Sequence, residues 1–222
     1  MAVNVIAIDG PAASGKSTIA GLVADRLGIP YINTGNMYRA VTFHAIQQGI
    51  GLSECSEDKL ALLLNQIKLD YVKSASGRYE IMLNGEFPGA KIRTPEVASF
   101  VSLVAALPNV RAWLLDKQRE FAGLGRIVME GRDIGTVIFP DARYKFFLTA
   151  SPEERAKRRL AQNGETPDGA TVESVAKAIA ERDMLDSSRE TAPLKKADDA
   201  FMIDTSGMSI EQVIEQILRH IQ

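Results

Sequence analysis

The chain opens with the apolar run "VNVIAI" (3–8), which stops at Asp9, Gly10 and Pro11. A short continuous apolar run ended by turn residues predicts a buried strand of a parallel sheet. "KSTIAGLVADRLG" (16–28) then places Ile19, Leu22, Val23 and Leu27 at helical spacing, with Gly28 as a C-terminal stop. "IPYI" predicts a second short strand, and "NMYRAVTFHAIQQG" (36–49) a second helix closed by Gly49. Strand and helix in alternation predict a parallel α/β sheet.

The pattern changes near residue 67. "IKLDYV" (67–72) and "YEIMLN" (79–84) are β-like runs separated by "KSASGR", which predicts a small antiparallel lobe inserted into the α/β core. Helical runs follow at 95–106 and 110–122, with Pro108 just ahead of the second. Short apolar runs then return in "RIVMEG" (126–131), "KFFLTA" (145–150) and "AFMIDT" (200–205), with helices expected between and after them. Ser209 and Gln212 form a capping box for the last helix. "NGETPDGA" (163–170) reads as the clearest flexible loop.

Composition narrows the picture by exclusion. With 222 residues, 45% hydrophobic and 24% charged, the chain has an ordinary globular composition and room for one substantial core plus an inserted lobe. A formal net charge of −2 gives no overall attraction to nucleic acid or anionic membrane. Cys55 is the single cysteine, and His44 and His220 are the only histidines, which argues against an internal disulfide or a Cys/His zinc site. No run approaches the roughly 20 apolar residues of a membrane span. The first apolar run has no basic segment ahead of it, so a cytoplasmic protein is expected.

The strongest chemical signal is Gly10-Pro11-Ala12-Ala13-Ser14-Gly15-Lys16-Ser17, which matches G-x-x-x-x-G-K-[ST] between a predicted strand and a predicted helix. Glycines let successive backbone N–H groups converge on phosphate oxygens, and the following helix N-terminus adds a favourable dipole. Lys16 is expected to reach the β- and γ-phosphates and Ser17 to help hold Mg²⁺. The pattern points to a nucleoside triphosphate and leaves the acceptor open. A regulatory GTPase would need an N-K-x-D guanine reader, which does not occur, and "DTSG" (204–207) lies too late in the chain for a switch.

Arginine placement favours phosphoryl transfer, which needs positioned cations around the migrating group. Arg155, Arg158 and Arg159 fall on one face of a helix beginning after Ser151, with a solvated face balanced by Glu153 and Glu154 as the alternative. Arg182, Asp186 and Arg189 share a face of a second helix, as a salt-bridge ladder or as a holder of phosphate and sugar hydroxyl. "EGRDIGT" (130–136) ends a predicted strand, where open α/β sheets bind ligands. Glu130 and Asp204 both qualify to orient Mg²⁺ through water.

Together "IDGPAASGKST", "NTGNMYRAVT", "IRTPEVASFVSLVAALPNVR", "EGRDIGTVIFPDA", "SPEERAKRR" and "ERDMLDSSRETAPL" resemble the bacterial-type cytidylate kinases of the nucleoside monophosphate kinase group. The strings occur in family order over essentially the whole chain. The resemblance implies a P-loop parallel sheet flanked by helices, with a core at 1–65 and 107–222, an inserted monophosphate-binding lobe at 66–106 and a lid at 155–170. It implies transfer of the γ-phosphoryl group of ATP to CMP or dCMP with Mg²⁺, by a monomer acting on small molecules, without nucleic acid or membrane.

The resemblance also implies the following site roles, by position. The ATP side comprises Gly10, Pro11, Ala12, Ala13, Ser14, Gly15, Lys16, Ser17, Thr18 and Arg158. Thr34 and Arg39 belong to the monophosphate side, and Ser102 and Asp133 read cytosine with Arg111 and Arg132 beside them. Arg182, Asp186 and Arg189 hold phosphate and sugar, and Arg155, Arg158 and Arg159 form the lid. Lys16, Arg132, Arg155, Arg159, Arg182 and Arg189 carry the charge of the reaction. The chain departs from the family pattern at Ser17-Thr18, where Gly-Thr is frequent, at Asn33, where Asp is usual, and at Asn36, where a small residue is common. A small-metabolite kinase, such as one acting on shikimate, would lack the cytosine readers and the insertion. A nucleotide-dependent binding module would bind ATP with little transfer.

Overall fold

In the computed structural model, which describes residues 3–162 and 164–221, strand β1 (Val3–Asp9) occupies the middle of a five-stranded sheet. It lies between β5 (Ile127–Gly131) and β6 (Ala142–Thr149), with β2 (Tyr31–Asn33) and β7 (Phe201–Asp204) at the edges. Every pairing is parallel. Val5, Ile6, Ala7 and Ile8 are all buried, so β1 is covered on both faces and its apolar run is continuous rather than alternating. Ile6 and Ile8 pack under α1 (Lys16–Leu27) and α8 (Ile210–Ile221), while Val5 and Ala7 face Met129, Ile134 and Ile138.

Local capping explains most boundaries. Helix α2 (Thr34–Gln47) starts ahead of the expected Asn36 because Asn33 Oδ1 accepts from Asn36 N at 3.2 Å. The expected box on α8 is present: Ser209 N donates to Gln212 Oε1 at 2.8 Å, and Gln212 N to Ser209 Oγ at 3.2 Å. Pro108 is the first residue of α5 (Pro108–Glu120), which therefore begins earlier than 110.

The inserted strands form an antiparallel hairpin, β3 (Leu69–Lys73) with β4 (Tyr79–Leu83). The hairpin cannot bury its own apolar face. Leu69, Ile81 and Leu83 share a core with Leu60 and Leu63 of α3 (Glu57–Leu64), Phe100 of α4 (Pro95–Ala106) and Leu114 of α5. Met37 and Val41 of α2 join the same cluster, so this lobe's packing extends on both sides of 66–106. Helix α6 (Pro152–Leu160) and α7 (Val172–Ser188) pack through Ala156, Val175 and Ile179 onto Ala12 of the phosphate loop. Among the described residues, no single helix is long and apolar enough to cross a membrane.

The connection from β5 to β6 passes over β1, which opens a crevice at the carboxyl ends of the strands. Asp9 is the last residue of β1, at that end of the sheet, and is buried. Its carboxylate accepts from Ile134 N at 2.9 Å and Gly135 N at 2.8 Å, pinning the π-helical turn Ile134–Ile138. Burial raises its pKa from 3.8 to about 7, against the pull of those two hydrogen bonds. The native state therefore keeps a proton that the unfolded chain releases, and Asp9's contribution, full below 3.8, is lost as pH rises through about 7. At about 1.4 kcal/mol per pKa unit the loss is at most about 4 kcal/mol. Urea unfolding of Asp9→Asn is expected to lack this decline; the parent slope retained in the variant would assign it elsewhere.

Candidate active site

The phosphate loop turns sharply because Gly10 can. Its φ is +149°, and a Cβ there would lie 2.0 Å from the carbonyl oxygen of Leu148. Ala12 N donates to Asp183 Oδ1 at 3.1 Å, and Ala12 is buried, so Gly10, Pro11 and Ala12 anchor the loop. Ala13, Ser14, Gly15, Lys16, Ser17 and Thr18 line the cleft. Lys16 is buried, with Nζ donating to Pro11 O at 2.6 Å and Ser14 Oγ at 3.3 Å. Burial, then the charge of Arg132, pulls its pKa well below the ordinary lysine value, while Glu130 and Asp9 oppose.

Glu130 stands at the end of β5 beside this loop. Its Oε1 accepts from Ser17 Oγ at 2.7 Å, from Tyr31 OH at 2.9 Å and from Asn33 Nδ2. Its Oε2 is buried with no partner. A hydroxyl and an unmatched carboxylate oxygen beside a phosphate loop suit Mg²⁺, a cation that keeps waters and substrate phosphates in its shell. Asp204, the other candidate, is exposed and accepts from Ser206 N at 2.9 Å. Of the two carboxylates, Glu130 is the one that meets Ser17, and these two residues would hold such a cation. The amide at position 33 has a physical reason here, since a carboxylate would repel Glu130 where Asn33 donates to it.

Across the cleft, side chains from four elements converge. Asp133 and Arg111 form a buried ion pair, Arg111 Nη1 also donates to Ala105 O at 3.2 Å, and Ser102 lines the same cleft. Burial pushes the Asp133 pKa up, while Arg111, Arg189 and Arg132 pull it down. Arg132 Nε donates to Asp186 Oδ2 at 3.0 Å, and Arg189 Nη1 lies 3.7 Å from Asp186 Oδ1. Burial would raise the Asp186 pKa, but Arg132, Arg182 and Arg189 outweigh it and hold the carboxyl below its ordinary value. Arg182 Nε and Arg189 Nη2 are buried without partners. The α7 face is thus not a self-contained ladder: Asp186 reaches across to β5's end, and two guanidinium groups keep unmatched donors.

Gly131 lets Thr34 and Ile134 close on the end of β5, since a Cβ there would meet Thr34 Oγ1 and Ile134 Cδ1 at 2.7 Å. Thr34 Oγ1 donates to Glu130 O at 2.8 Å, which locks α2's start against β5. The arginines of α6 separate. Arg155 is buried, donates to Ala150 O at 3.2 Å and Ala12 O at 3.3 Å, and pairs with Asp183. Arg158 donates to Ser14 O at 3.3 Å and to Thr205 Oγ1 at 2.7 Å. Arg159 alone of the three lines the cleft.

Asp183, Arg93 and Glu165 had no place in the sequence expectations. Asp183 clamps both Ala12 N and Arg155, and Arg93 lines the cleft with its Nη2 donating to Asn36 Oδ1 at 2.9 Å. Glu165, from the loop expected to be flexible, is buried among Arg39, Arg93 and Arg159. Asn163, the first residue of that loop, lies outside the described residues. One signal in the sequence was the adjacency of Asp183 to Arg182; the other two contacts join segments far apart along the chain.

A phosphate loop after a central parallel strand, facing a cleft lined by arginines from α2, α6 and α7, defines a P-loop kinase core. The family model described as cytidylate kinase matches residues 6–222, and the chain belongs to that family. A cytidylate kinase from Geobacillus sp. (strain WCH70) is 49% identical over 213 residues, covering 96% of this chain and 94% of that protein. Another from Limosilactobacillus fermentum is 46% identical over 218 residues, covering 98% and 95%. Among solved structures, an uncharacterized protein from Eubacterium ventriosum matches with a TM-score of 0.53 at 14% identity over 98% of this chain and 97% of that one, a likeness of fold.

Proposed function

We propose that this chain transfers the γ-phosphoryl group of ATP to CMP and dCMP, giving CDP or dCDP and ADP, as a cytoplasmic monomer. The observation that carries this reading is the buried Asp133–Arg111 pair set beside Asp186 and its arginines, in one cleft with the phosphate loop. A carboxylate accepts from the cytosine N4 amino group, where uracil presents an oxygen, and the paired guanidinium donates to a ring acceptor. Asp186, kept ionised by its neighbours, accepts from a sugar hydroxyl. Arg39, Arg132, Arg182 and Arg189 receive the acceptor phosphate.

In the transfer an acceptor phosphate oxygen bonds to the γ-phosphorus as its bond to the β,γ-bridging oxygen breaks, and ADP leaves with the electron pair. Positioning and charge neutralisation dominate such chemistry. Lys16 holds the β- and γ-phosphates, and Arg132, Arg159 and Arg182 spread over the equatorial oxygens. Bound Mg²⁺, held from Ser17 and through water from Glu130, would supply further charge stabilisation. Arg155 and Arg158 hold the loop's shape from behind, and closure of α6 with its following loop excludes water that would otherwise take the phosphoryl group.

ADP formation from Mg-ATP with CMP, dCMP, UMP, AMP and shikimate in turn tests the reading. Turnover is expected with CMP and dCMP above all, and none with shikimate. Folded protein without CMP-dependent turnover would overturn it. Asp133→Asn is expected to erode the preference for CMP over UMP by about 1–3 kcal/mol, read as the ratio of kcat/KM values. An unaltered ratio would move base recognition away from this carboxylate.

A further inference from the structure

One cleft carboxylate has no use in the transfer just described. Glu165 comes from the loop between α6 and α7, and only 8% of its surface is exposed. Its Oε2 accepts from Arg39 Nη2 at 3.0 Å and pairs with Arg159, and its Oε1 accepts from Arg93 Nη1 at 3.1 Å. The three arginines reach it from α2, from the segment before α4 and from α6. Arg39 and Arg93 are also seated by other contacts: Arg39 Nη1 donates to Ile92 O at 3.2 Å and Arg93 Nη2 to Asn36 Oδ1. A planar carboxylate spanning several guanidinium groups presents the geometry by which arginines grip a phosphate.

The cluster is crowded with positive charge. Burial, followed by the charges of Arg93 and Arg132, lowers the Arg39 pKa to about 10. Burial, followed by Arg182 and Arg39, lowers that of Arg159 to about 9. Such a group of cations is held together by an anion, whichever anion is at hand. A phosphate monoester brings nearly two charges and three acceptor oxygens, against one charge and two oxygens for Glu165. It is the stronger occupant.

We infer that Glu165 is an internal stand-in for the acceptor's phosphate, seated on Arg39, Arg93 and Arg159 in the free protein and exchanged for the phosphate of the incoming nucleoside monophosphate. The inference rests on the reading of Arg39 as an acceptor-phosphate ligand. Its consequence is a coupling: arrival of the acceptor releases the loop that tethers α6, and frees Arg159 to turn to the transferring group. While Glu165 is seated it tethers the loop and engages Arg159, so closure of the lid over ATP is coupled to arrival of the acceptor. Affinity for the acceptor is reduced by the fraction of molecules in which Glu165 is seated.

Calorimetric binding of CMP and of cytidine, which lacks the phosphate, tests the exchange in Glu165→Gln, an isosteric change that removes the charge. CMP is expected to bind about fivefold more tightly, the factor for a site open in one molecule of five, with cytidine unchanged. Equal tightening of both ligands, or no tightening of CMP, would overturn the inference. Arg39→Met separates the two levels. If it leaves CMP affinity unaltered, the acceptor-site reading fails and the inference with it. If it weakens CMP while Glu165→Gln does not tighten it, the inference alone fails. In the unaltered chain, CMP without ATP is expected to raise amide hydrogen exchange over 164–170; protection retained at saturating CMP would also overturn it.

Discussion

Replacing Lys16 with Met is expected to lower turnover with CMP about 100- to 1,000-fold, about 3–4 kcal/mol of transition-state stabilisation, and to leave the fold at least as stable as the parent. The two halves have one cause. Lys16 is buried, and the partners of its Nζ are a carbonyl oxygen and a hydroxyl, without a carboxylate in ion-pair contact among the described residues. Burial of a cation so held is unfavourable, as the direction of its pKa shows. Methionine keeps the stem and removes the charge, so the free protein loses an unfavourable term while the β- and γ-phosphates lose their counter-charge. Steady-state turnover beside urea unfolding checks both halves. A variant turning over within tenfold of the parent would place the neutralising charge on another residue, and a destabilised one would show that Lys16 braces the loop.

Arg189→Met is expected to lower kcat/KM for CMP at least tenfold, about 1.4 kcal/mol or more, with KM for ATP little changed. Arg189 closes α7, and its Nε donates to Ala192 O at 2.7 Å, so one edge of the guanidinium is structural. Its Nη2 is buried without a partner, and Asp186 lies 3.7 Å from Nη1. The structural edge is expected to account for about 1 kcal/mol of stability, and the unmatched edge is the one free to meet an acceptor phosphate. The split between the two substrates distinguishes these roles. Loss of stability with unaltered CMP kinetics would make the arginine a turn-holder only.

Short-range features are legible in the order of residues alone. The phosphate loop needs only a run of glycines and small residues between a strand and a helix, and both flanking elements announce themselves by period. The caps at Ser209 and Gln212 and the stop at Gly28 are equally local. Spacing says less about charge. Arg155, Arg158 and Arg159 share a helical face by periodicity, yet the first two turn to the phosphate loop and only the third faces the cleft. A helix of nine residues can meet two different neighbours along one face, and periodicity does not say which. The seating of Glu165, in the loop that follows α6, escapes the residue pattern for a related reason. The loop's polar, glycine-containing composition predicts mobility, while Arg39 and Arg93, over seventy residues earlier, seat Glu165.

The strands, most helices, the phosphate loop and the supply of arginines are written into the chain's own order of residues, because each depends on neighbours within a few positions, whereas the short α3 is not legible there. Which charges meet is a property of the folded arrangement. It joins Asp133 to Arg111, Asp186 to Arg132, Asp183 to Arg155 and Glu165 to the arginine cluster. Those pairings arise where the carboxyl ends of five parallel strands bring distant segments to one crevice, and out of water the meeting of two charges outweighs the local preferences that a residue pattern records.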